Sequence, residues 1–206
     1  MDDLQMYGCS SGCQMGCRCG GYRDISLEMM NLSNQMRLLW EQHVYWTRMV
    51  ISGIIFNSPD VEFSKARLLR NPGDFAEVLK SFYGEAEAMR FAELFTSHLT
   101  IAAQLVSAAN TGKSAEAAEA ERKWYENADQ IAAFFASINP YWAMCQWQQM
   151  LYSHLAMTKQ EAVSFISKNY GASIDVFEKI EQEALEMADV MTRGIILQFS
   201  SCFDRI

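Results

Sequence analysis

Apolar and semi-apolar side chains near the start of the chain recur at alternating steps of four and three residues. The series comprises Ile25, Met29, Leu32, Met36, Leu39, His43, Trp46 and Val50. This spacing places its members along one face of a single long α-helix. Asp24 or Ser26 can cap its start, since both side chains accept hydrogen bonds from first-turn amides. The helix should end near Asn57-Ser58-Pro59, because proline lacks an amide donor and restricts the residue before it.

The rest of the chain predicts further helices, because it is rich in helix formers and poor in helix breakers. Only 3 prolines and 11 glycines occur in 206 residues. Boundaries are expected at Asn71-Pro72-Gly73, Gly84, Asn110-Thr111-Gly112, Ser137-Ile138-Asn139-Pro140 and Asn169-Tyr170-Gly171. Thr158 and Glu161 form a capping-box pattern, which leaves open whether a helix over residues 140–168 is broken. We therefore predict an all-α bundle of about six helices over residues 24–206.

The three histidines of the chain, His43, His98 and His154, share a sequence context. Each follows a similar apolar heptapeptide, and the interval between the first two differs by a single position from the interval between the last two. Asp74 follows His43 at the interval at which Asp129 follows His98, and Asp189 follows His154 about one helical turn later than that. Each unit is predicted to be one αα-hairpin, with a histidine on its first helix and an aspartate on its second. The bundle would then consist of three pseudo-repeated αα-hairpins.

The first interpretation of the histidines is structural. Each lies on an apolar helix face, three residues after a large apolar residue, which predicts burial. A buried imidazole needs partners for its ring nitrogens. The aspartate of the facing helix would supply them, or Thr47 and Thr158 one turn further on. Repeated His–Asp pairs would then fix the register of the hairpins.

The second interpretation is a metal site in the bundle core. Three imidazoles with the three aspartates can bind Zn, Mn or Fe inside a helical bundle. The Glu-x-x-His pairs of ferritin-like di-iron proteins are missing, since Glu41 lies two residues before His43 and Glu93 lies five before His98.

A third interpretation is an enzyme or small-ligand pocket lined by the same histidines and aspartates. No strand–turn–helix elbow or phosphate-binding loop is present to support nucleophilic or phosphate chemistry.

Four arginines lie at positions from which they could approach the histidines; they are Arg48, Arg67, Arg70 and Arg90. Together they could form an anion-binding cluster. Alternatively they pair with acidic neighbours such as Asp74 and Glu93. The pattern favours pairing.

Residues 1–23 form a cysteine- and glycine-rich arm that differs from the rest of the chain. Four thiols occur within eleven residues, at Cys9, Cys13, Cys17 and Cys19. Such a segment lacks apolar periodicity, so it cannot hold a shape by itself. Disulfide formation, thiolate binding of a soft metal such as Cu or Zn, or docking on a neighbouring chain would order it. Cys202 is a further exposed candidate, whereas Cys145 is expected to be an inert core thiol.

Charge and hydropathy exclude several partner classes. The net charge of -8 repels phosphate backbones, so nucleic acid is not expected as a partner. No stretch reaches the roughly 18 apolar residues that spanning a bilayer requires. Met1-Asp2-Asp3-Leu4 lacks the basic and apolar regions of a classical secretory signal. We expect either a cytoplasmic protein or one exported to a cell or spore surface by another route.

Three stretches are similar to an uncharacterised all-helical family of Gram-positive spore-forming bacteria. They are residues 37–48, which contain Leu39-Trp40-Glu41-Gln42-His43, residues 67–72, and Ser137-Ile138-Asn139-Pro140-Tyr141-Trp142. The resemblance covers about residues 27–199 and excludes the arm. It implies a helical bundle and a bacterial source, and no residue roles. Some members carry an amino-acid kinase label, from which this sequence departs because it lacks strands and phosphate-binding glycines.

The leading functional hypothesis is a self-assembling structural protein. Its helical bundle would be the building block, and its arm would dock on or cross-link to neighbouring subunits through Cys9, Cys13, Cys17, Cys19 and Cys202. The product would be a homo-oligomer or a filament, since heterologous contacts that do not close polymerise. The alternative is a metal-binding protein that uses the arm thiolates or the three histidines, with Zn, Cu or Fe as the metal.

Overall fold

The computed structural model describes residues 25–203, and all secondary structure in this range is helical, with no strand. The helices are α1 (Leu27–Phe56), α2 (Val61–Leu68), α3 (Asn71–Asn110), α4 (Ser114–Ile138), α5 (Met144–Ile166) and α6 (Tyr170–Gln198), followed by a short 3-10 helix, η1 (Ser200–Cys202). The prediction of an all-α bundle is thus confirmed. The arm, with Cys9, Cys13, Cys17 and Cys19, lies outside the described residues.

Helix α1 begins and ends close to where the sequence predicts. The Ser26 side chain accepts a hydrogen bond of 3.2 Å from the backbone N–H of Met29, which caps the first turn. At the other end Asn57 has a left-handed conformation with φ 52°, and its N–H donates to the Gly53 carbonyl. Asparagine tolerates this conformation, and Pro59 two residues later cannot continue the helix. The predicted start and stop are confirmed.

Helix α3 changes direction at Gly84, where the backbone leaves the helical region with φ 83° and ψ 171°. A residue with a side chain would be strained at this positive φ, so glycine is required there. The predicted boundary at Gly84 therefore divides α3 into two helical segments, residues 71–83 and 85–110. The first segment follows α2, and the second leads to α4.

The helices pack in an order that closes on itself. Helix α1 packs against α3, α3 against α4, α4 against α5, α5 against α6, and α6 returns to pack along α1. The enclosed core is continuous and rich in aromatic side chains. Its fully buried members include Met36, Phe75, Phe91, Phe135, Trp142 and Trp147. Because every long helix contributes its apolar stripe to one core, side chains far apart in sequence meet there.

A second, smaller apolar cluster lies beside the main core. Ile51 of α1, Val106 of α3 and Ala162 of α5 pack together with Phe165. The first three of these residues follow one another at the same intervals as the three histidines. Helices α1, α3 and α5 therefore approach one another about two turns after their histidines.

Two expectations about α5 are resolved by the structure. Thr158 does not begin a new helix, since α5 is continuous from Met144 to Ile166 and the residue is buried inside it. Cys145 is exposed in the first turn of α5, so the expectation of a core thiol was wrong. The apolar neighbours suggested burial, but Cys145 lies on the outward face of the first turn, while Trp142 and Trp147 on either side of it are buried. None of the helices between residues 25 and 203 combines the length and apolarity that crossing a membrane requires.

Candidate functional site: a buried histidine layer

The three histidines lie in the core on three different helices. His43 is on α1, His98 on the second segment of α3, and His154 on α5, and each is only 2% exposed. Their rings form part of one aromatic layer. The centroids of the His43 and His154 rings are 5.5 Å apart, and the Phe95 ring lies 4.9 Å from His43 and 6.1 Å from His98. The structure therefore brings the predicted histidines together, with Phe95 between the first and second.

His98 has a well-ordered hydrogen-bond partner on its Nδ1 side. Its Nδ1 lies 2.9 Å from Oδ1 of Asn127 on α4. The Asn127 Nδ2 donates to the Leu94 carbonyl at 3.0 Å, which turns Oδ1 towards the ring. Because an amide oxygen only accepts, the His98 Nδ1–H donates and Nε2 keeps its lone pair. Burial, reinforced by the nearby His154, lowers the pKa of His98 to about 3, so the imidazole is neutral at physiological pH.

His154 faces a carboxylate in place of an amide. Its Nδ1 lies 3.3 Å from Oε2 of Glu183, a largely buried residue of α6. The two groups are not aligned well enough for a hydrogen bond. Within residues 25–203, neither His154 Nδ1 nor Glu183 Oε2 has another hydrogen-bond partner. The contact therefore places a buried carboxylate beside a buried imidazole without completing the bond between them.

Around His43 the bond from an asparagine to the helix backbone is present, but the bond to the histidine ring is missing. Asn71, at the start of α3, donates from Nδ2 to the Leu39 carbonyl at 3.0 Å, as Asn127 does to Leu94. In the described part of the chain, both His43 Nδ1 and Asn71 Oδ1 lack a hydrogen-bond partner. Burial, followed by the neighbouring His154 and His98, lowers the pKa of His43 well below its usual value.

The predicted aspartate partners do not reach the histidines. Asp74 lies 3.9 Å from Arg67, Asp129 accepts hydrogen bonds from Gln148 and Tyr152, and Asp189 accepts two bonds of 2.7 Å from Arg37. All three occupy outward faces of their helices, where water and polar neighbours stabilise the charge. Thr47 and Thr158 also fail as partners, since neither hydroxyl has a hydrogen bond within residues 25–203. The proposed His–Asp pairing was therefore wrong.

The residues that contact His98 and His154, together with Asn71, form a regular pattern that a search for charged partners overlooks. Asn71, Asn127 and Glu183 are equally spaced along the chain, and each follows its histidine at an interval that varies by no more than one position. Two of them are amides, which a buried neutral imidazole can accept as partners without the cost of burying a charge. A search for any polar residue at a constant offset would have found them.

A buried ion pair lies about two turns from His154. Glu161 of α5 is 1% exposed and pairs with Arg48 of α1. The same guanidinium donates to the Ser173 carbonyl at 3.0 Å and lies over the Phe165 ring at 4.8 Å. Burial raises the pKa of Glu161 to about 7, against the opposing effect of Arg48. The sequence favoured an acidic partner for Arg48 but did not identify Glu161 as that partner.

Two of the other three arginines, Arg67 and Arg90, follow the favoured pairing, whereas Arg70 has no acidic partner within residues 25–203. Arg67 approaches Asp74 and also donates to Gln42 at 3.0 Å, and Arg90 pairs with Glu93 at 3.2 Å. These contacts are partly or fully exposed, so each stabilises the fold only weakly. The cations are thus dispersed over the surface and form no anion-binding cluster around the histidines of the described chain.

The arrangement holds neutral imidazoles, but not in metal-ligating positions. Between residues 25 and 203 no group of three or more histidine, cysteine, aspartate or glutamate side chains is placed to hold a metal ion. The Nδ1 side of His98 is bonded to a supporting amide, which is how metal-ligating histidines are oriented, and its Nε2 lone pair is left over. The chemistry of the donors fits a transition metal, whereas their present separation does not.

The two described cysteines, Cys145 and Cys202, are both exposed and unpaired with each other. Cys202 lies in a groove of about 460 Å³ between the start of α1 and the first segment of α3, which we call the Cys202 groove. Glu28, Gln35, Glu77 and Phe82 also line it. Because Glu28 is the second residue of α1, the helix that directly follows the arm begins beside Cys202.

Comparisons with known proteins identify no relative. No protein-family model matches the chain, and no curated protein or solved structure is significantly similar to it. Any assignment of function therefore depends on the residues of this chain.

Proposed function

We propose that the chain is a structural building block that assembles through its cysteines, with the arm of one subunit docking on or cross-linking to the next. The observation that carries this proposal is the exposure of Cys202 in a groove beside the start of α1, the helix that follows the arm. Free cysteine is among the most frequently buried residue types, so two exposed thiols in a chain with an apolar core are unusual. Exposed thiols are available for bonds to another chain.

The position of Cys202 supports a role for the arm. Cys19, the last thiol of the arm, is close in sequence to Glu28, which lines the same groove as Cys202. Fully extended, the short segment between them spans about 30 Å at most. Thiols of the arm can therefore reach Cys202 of the same chain or of a neighbour. A disulfide forms when two thiols lose two protons and two electrons to an oxidant such as a small-molecule disulfide.

We also propose that the helix pairs are structural repeats, which would make the bundle rigid enough to serve as a building block. Met36, Phe91 and Trp147 support this view, since they share the histidine spacing and are all fully buried. The matching amide bonds of Asn71 and Asn127 to the helix that carries the histidine support it further. A filament or a spore-surface layer is the assembly that such a module with a cross-linking arm would build.

Gel electrophoresis and light scattering test the assembly. The full chain, treated with oxidised glutathione, should give a ladder of disulfide-linked species that collapses to a monomer on reduction. A variant with serine at Cys9, Cys13, Cys17 and Cys19 should lose the ladder, and Cys202→Ser should shorten it. Cys145→Ser is the matched control with an exposed thiol far from the arm in sequence. A monomer in both lanes, with six titratable thiols, would contradict the proposal.

Metal binding is the second candidate, favoured by the neutral state of His43 and His98 and by the thiol density of the arm. Neutral imidazole and thiolate are ligands of Zn, Cu and Fe. Elemental analysis of protein purified without added metal should then show a stoichiometric metal. Loss of that metal in the four-serine arm variant assigns it to the arm, and loss in His43→Gln assigns it to the layer. Traces far below one equivalent would rule this candidate out.

A further inference from the structure

A groove of about 560 Å³ lies between α2 and the second segment of α3, and we call it the α2–α3 groove. Its floor is the apolar cluster of Val50, Leu68 and Leu99, which is separate from the main core. Along α3 the groove runs from Leu99 to Thr111, which is about 18 Å at the rise of an α-helix. That length accommodates about five or six residues of an extended segment.

The surface inside the groove is mostly apolar and open to solvent. Ala103 and Ser107 of α3 line it with short side chains that leave the space above them empty. Leu69, at the end of α2, lies on the rim and is 46% exposed. A concave apolar surface of this kind is typical of a contact with another molecule, whereas a single exposed apolar side chain is ordinary.

Two lysines line the groove at its edges. Lys65 of α2 pairs with Glu62 at 2.7 Å, and Lys113, which precedes α4, pairs with Glu116 at 3.1 Å. The four side chains are 32–76% exposed, so these pairs are weak and can exchange partners. The lining contains both lysines and Glu116 but not Glu62, so it carries a net positive charge. The groove therefore favours an occupant that is both apolar and acidic.

Two other grooves of the described chain differ from it in charge. The Cys202 groove is lined by Glu28 and Glu77. A groove between α5 and α6 contains Glu183 and Glu186 beside Lys179. Both linings have a net negative charge, which repels acidic residues. An acidic segment is therefore matched by the α2–α3 groove and opposed by these two.

The first seven residues of the chain have the composition that the α2–α3 groove favours. They read Met1-Asp2-Asp3-Leu4-Gln5-Met6-Tyr7, in which two acidic residues are flanked by apolar ones. The residues between this segment and α1 span about 60 Å at most when fully extended. The distance along α1 from Leu27 to Val50 is about 35 Å. The segment therefore has the reach to leave its own helix α1 and bind elsewhere.

We propose that the α2–α3 groove of one subunit binds residues 1–7 of a neighbouring subunit. The apolar side chains of the segment pack on the floor of the groove, and Asp2 and Asp3 lie beside Lys65 and Lys113. This inference rests on the proposed assembly through the arm and adds the place where the arm docks. A neighbour's groove, rather than the chain's own, gives the head-to-tail contact that builds an oligomer. The four arm thiols then fall between two subunits, since they separate the segment from α1 in sequence.

Exchange of charges between segment and groove tests the docking, with the full chain kept reduced so that no disulfide contributes. One variant carries Asp2→Lys and Asp3→Lys, and the other carries Lys65→Glu and Lys113→Glu. Each variant alone should associate roughly tenfold more weakly than the wild type, because like charges then meet in the groove. An equimolar mixture should regain the lost association, since each segment finds a groove of opposite charge on its partner. Sedimentation equilibrium measures the association constants.

Two matched controls accompany the exchange. Lys80→Glu with Lys123→Glu changes the net charge equally at two exposed ion pairs outside the groove, so association should stay within about threefold of the wild type. Ser107 and Ser97 are both exposed on α3, but only Ser107 lines the groove. Ser107→Trp should weaken association roughly tenfold, because the indole fills the space of the segment, and Ser97→Trp should not.

Three results would overturn the proposal. They are a wild-type chain that stays monomeric when reduced, no recovery in the mixture, as docking within one chain would give, and equal association by the Ser107→Trp and Ser97→Trp variants. If the mixture fails to recover while the oxidised wild type still forms its disulfide ladder, the cross-linking stands and the docking site is wrong. Recovery in the mixture without a ladder would leave the docking site and remove the cross-linking.

Discussion

The pair of helices α3 and α4 and the pair α5 and α6 present a buried histidine to different partners. In the first pair His98 donates to the amide oxygen of Asn127, and the amide is itself bonded to the helix that carries the histidine. In the second pair His154 meets the carboxylate of Glu183 without a hydrogen bond, and a second buried acid, Glu161, lies further along the same helix.

The comparison shows that two similar helix pairs can place a buried histidine beside either a neutral amide or an acidic side chain. A neutral His–Asn pair satisfies its polar groups at little electrostatic cost, so it fixes the packing of two helices. A buried acidic side chain without a hydrogen-bond partner costs free energy. We therefore expect the α3–α4 pair to contribute more to stability at neutral pH than the α5–α6 pair.

Acid should destabilise the fold most strongly through the buried neutral histidines. An unfolded histidine gains a proton near pH 6.5, whereas the pKa of folded His98 is about 3. The unfolded state thus binds more protons between these values, and the unfolding free energy falls as pH falls through 6.5. His98→Gln should remove about 2 kcal/mol of the loss between pH 6.5 and 4.5. Urea denaturation at both pH values measures it, with the exposed Thr100→Ala as control. Parallel pH profiles for both variants would contradict this account.

Glu161 should produce a pH effect of the opposite sign. Its pKa is about 7 in the folded state and 4.5 for the ordinary carboxyl. The folded state therefore binds more protons between these values, and the unfolding free energy falls as pH rises from 4.5 to 7. Glu161→Gln should abolish this contribution, which is about 2 kcal/mol. Urea titrations at pH 5 and 7.5 measure it, and Glu178→Gln on the surface of α6 should behave like the wild type. A Glu161→Gln profile identical to that of Glu178→Gln would show that Arg48 keeps the carboxylate charged throughout.

Replacing Asn127 and Asn71 by leucine, one at a time, should distinguish the hydrogen-bonded His98–Asn127 pair from His43 and Asn71, which form no such bond. Asn127→Leu removes the hydrogen bonds of two groups, the His98 Nδ1–H and the Leu94 carbonyl. Asn71→Leu removes only the bond to the Leu39 carbonyl, and it also removes an amide oxygen that had no partner. The first substitution should cost about 1–3 kcal/mol more than the second, since it leaves one more buried group unsatisfied. Urea denaturation of both variants measures the difference, provided that the dependence of the unfolding free energy on urea concentration is the same for both. Equal losses would mean that His43 and Asn71 do form a bond in solution.

Glu183→Gln should convert the carboxylate of the α5–α6 pair into an amide like that of Asn127. The change replaces an acidic side chain that has no hydrogen-bond partner with an amide that can bond to His154 Nδ1, so stability should rise by about 1 kcal/mol. The urea midpoint of metal-free protein measures this. Destabilisation of the metal-free protein would contradict the view that the carboxylate is uncompensated. If the variant is more stable yet loses a metal found in the wild type, the carboxylate is kept for binding.

The sequence predicts the helices well because their signals are local. The four-and-three spacing in α1, the left-handed Asn57 before Pro59, and the single glycine that divides α3 each act within a few residues. The capping-box pattern at Thr158 misleads for the same reason. A local motif suggests a helix start, but packing against the core keeps α5 continuous there.

The candidate site was predicted only in part. Burial of the three histidines follows from the apolar faces on which they lie. Their partners do not follow, because an aspartate at a regular spacing resembles a partner in sequence while its side chain lies on an outward face. The exposure of Cys145 was not predicted either, because its apolar neighbours do not show which face of the first turn of α5 meets the core.

By itself the sequence determined that this chain is helical, where its helices break, and which residues share a buried face. These properties depend on backbone preferences and on the helical periodicity of the side chains. Only the tertiary structure decided which helices meet, and hence that Asn127 and Glu183 face the histidines and that Val50, Leu68 and Leu99 form the floor of a common groove. Such contacts depend on the crossing of helices far apart in sequence, and no local pattern encodes them.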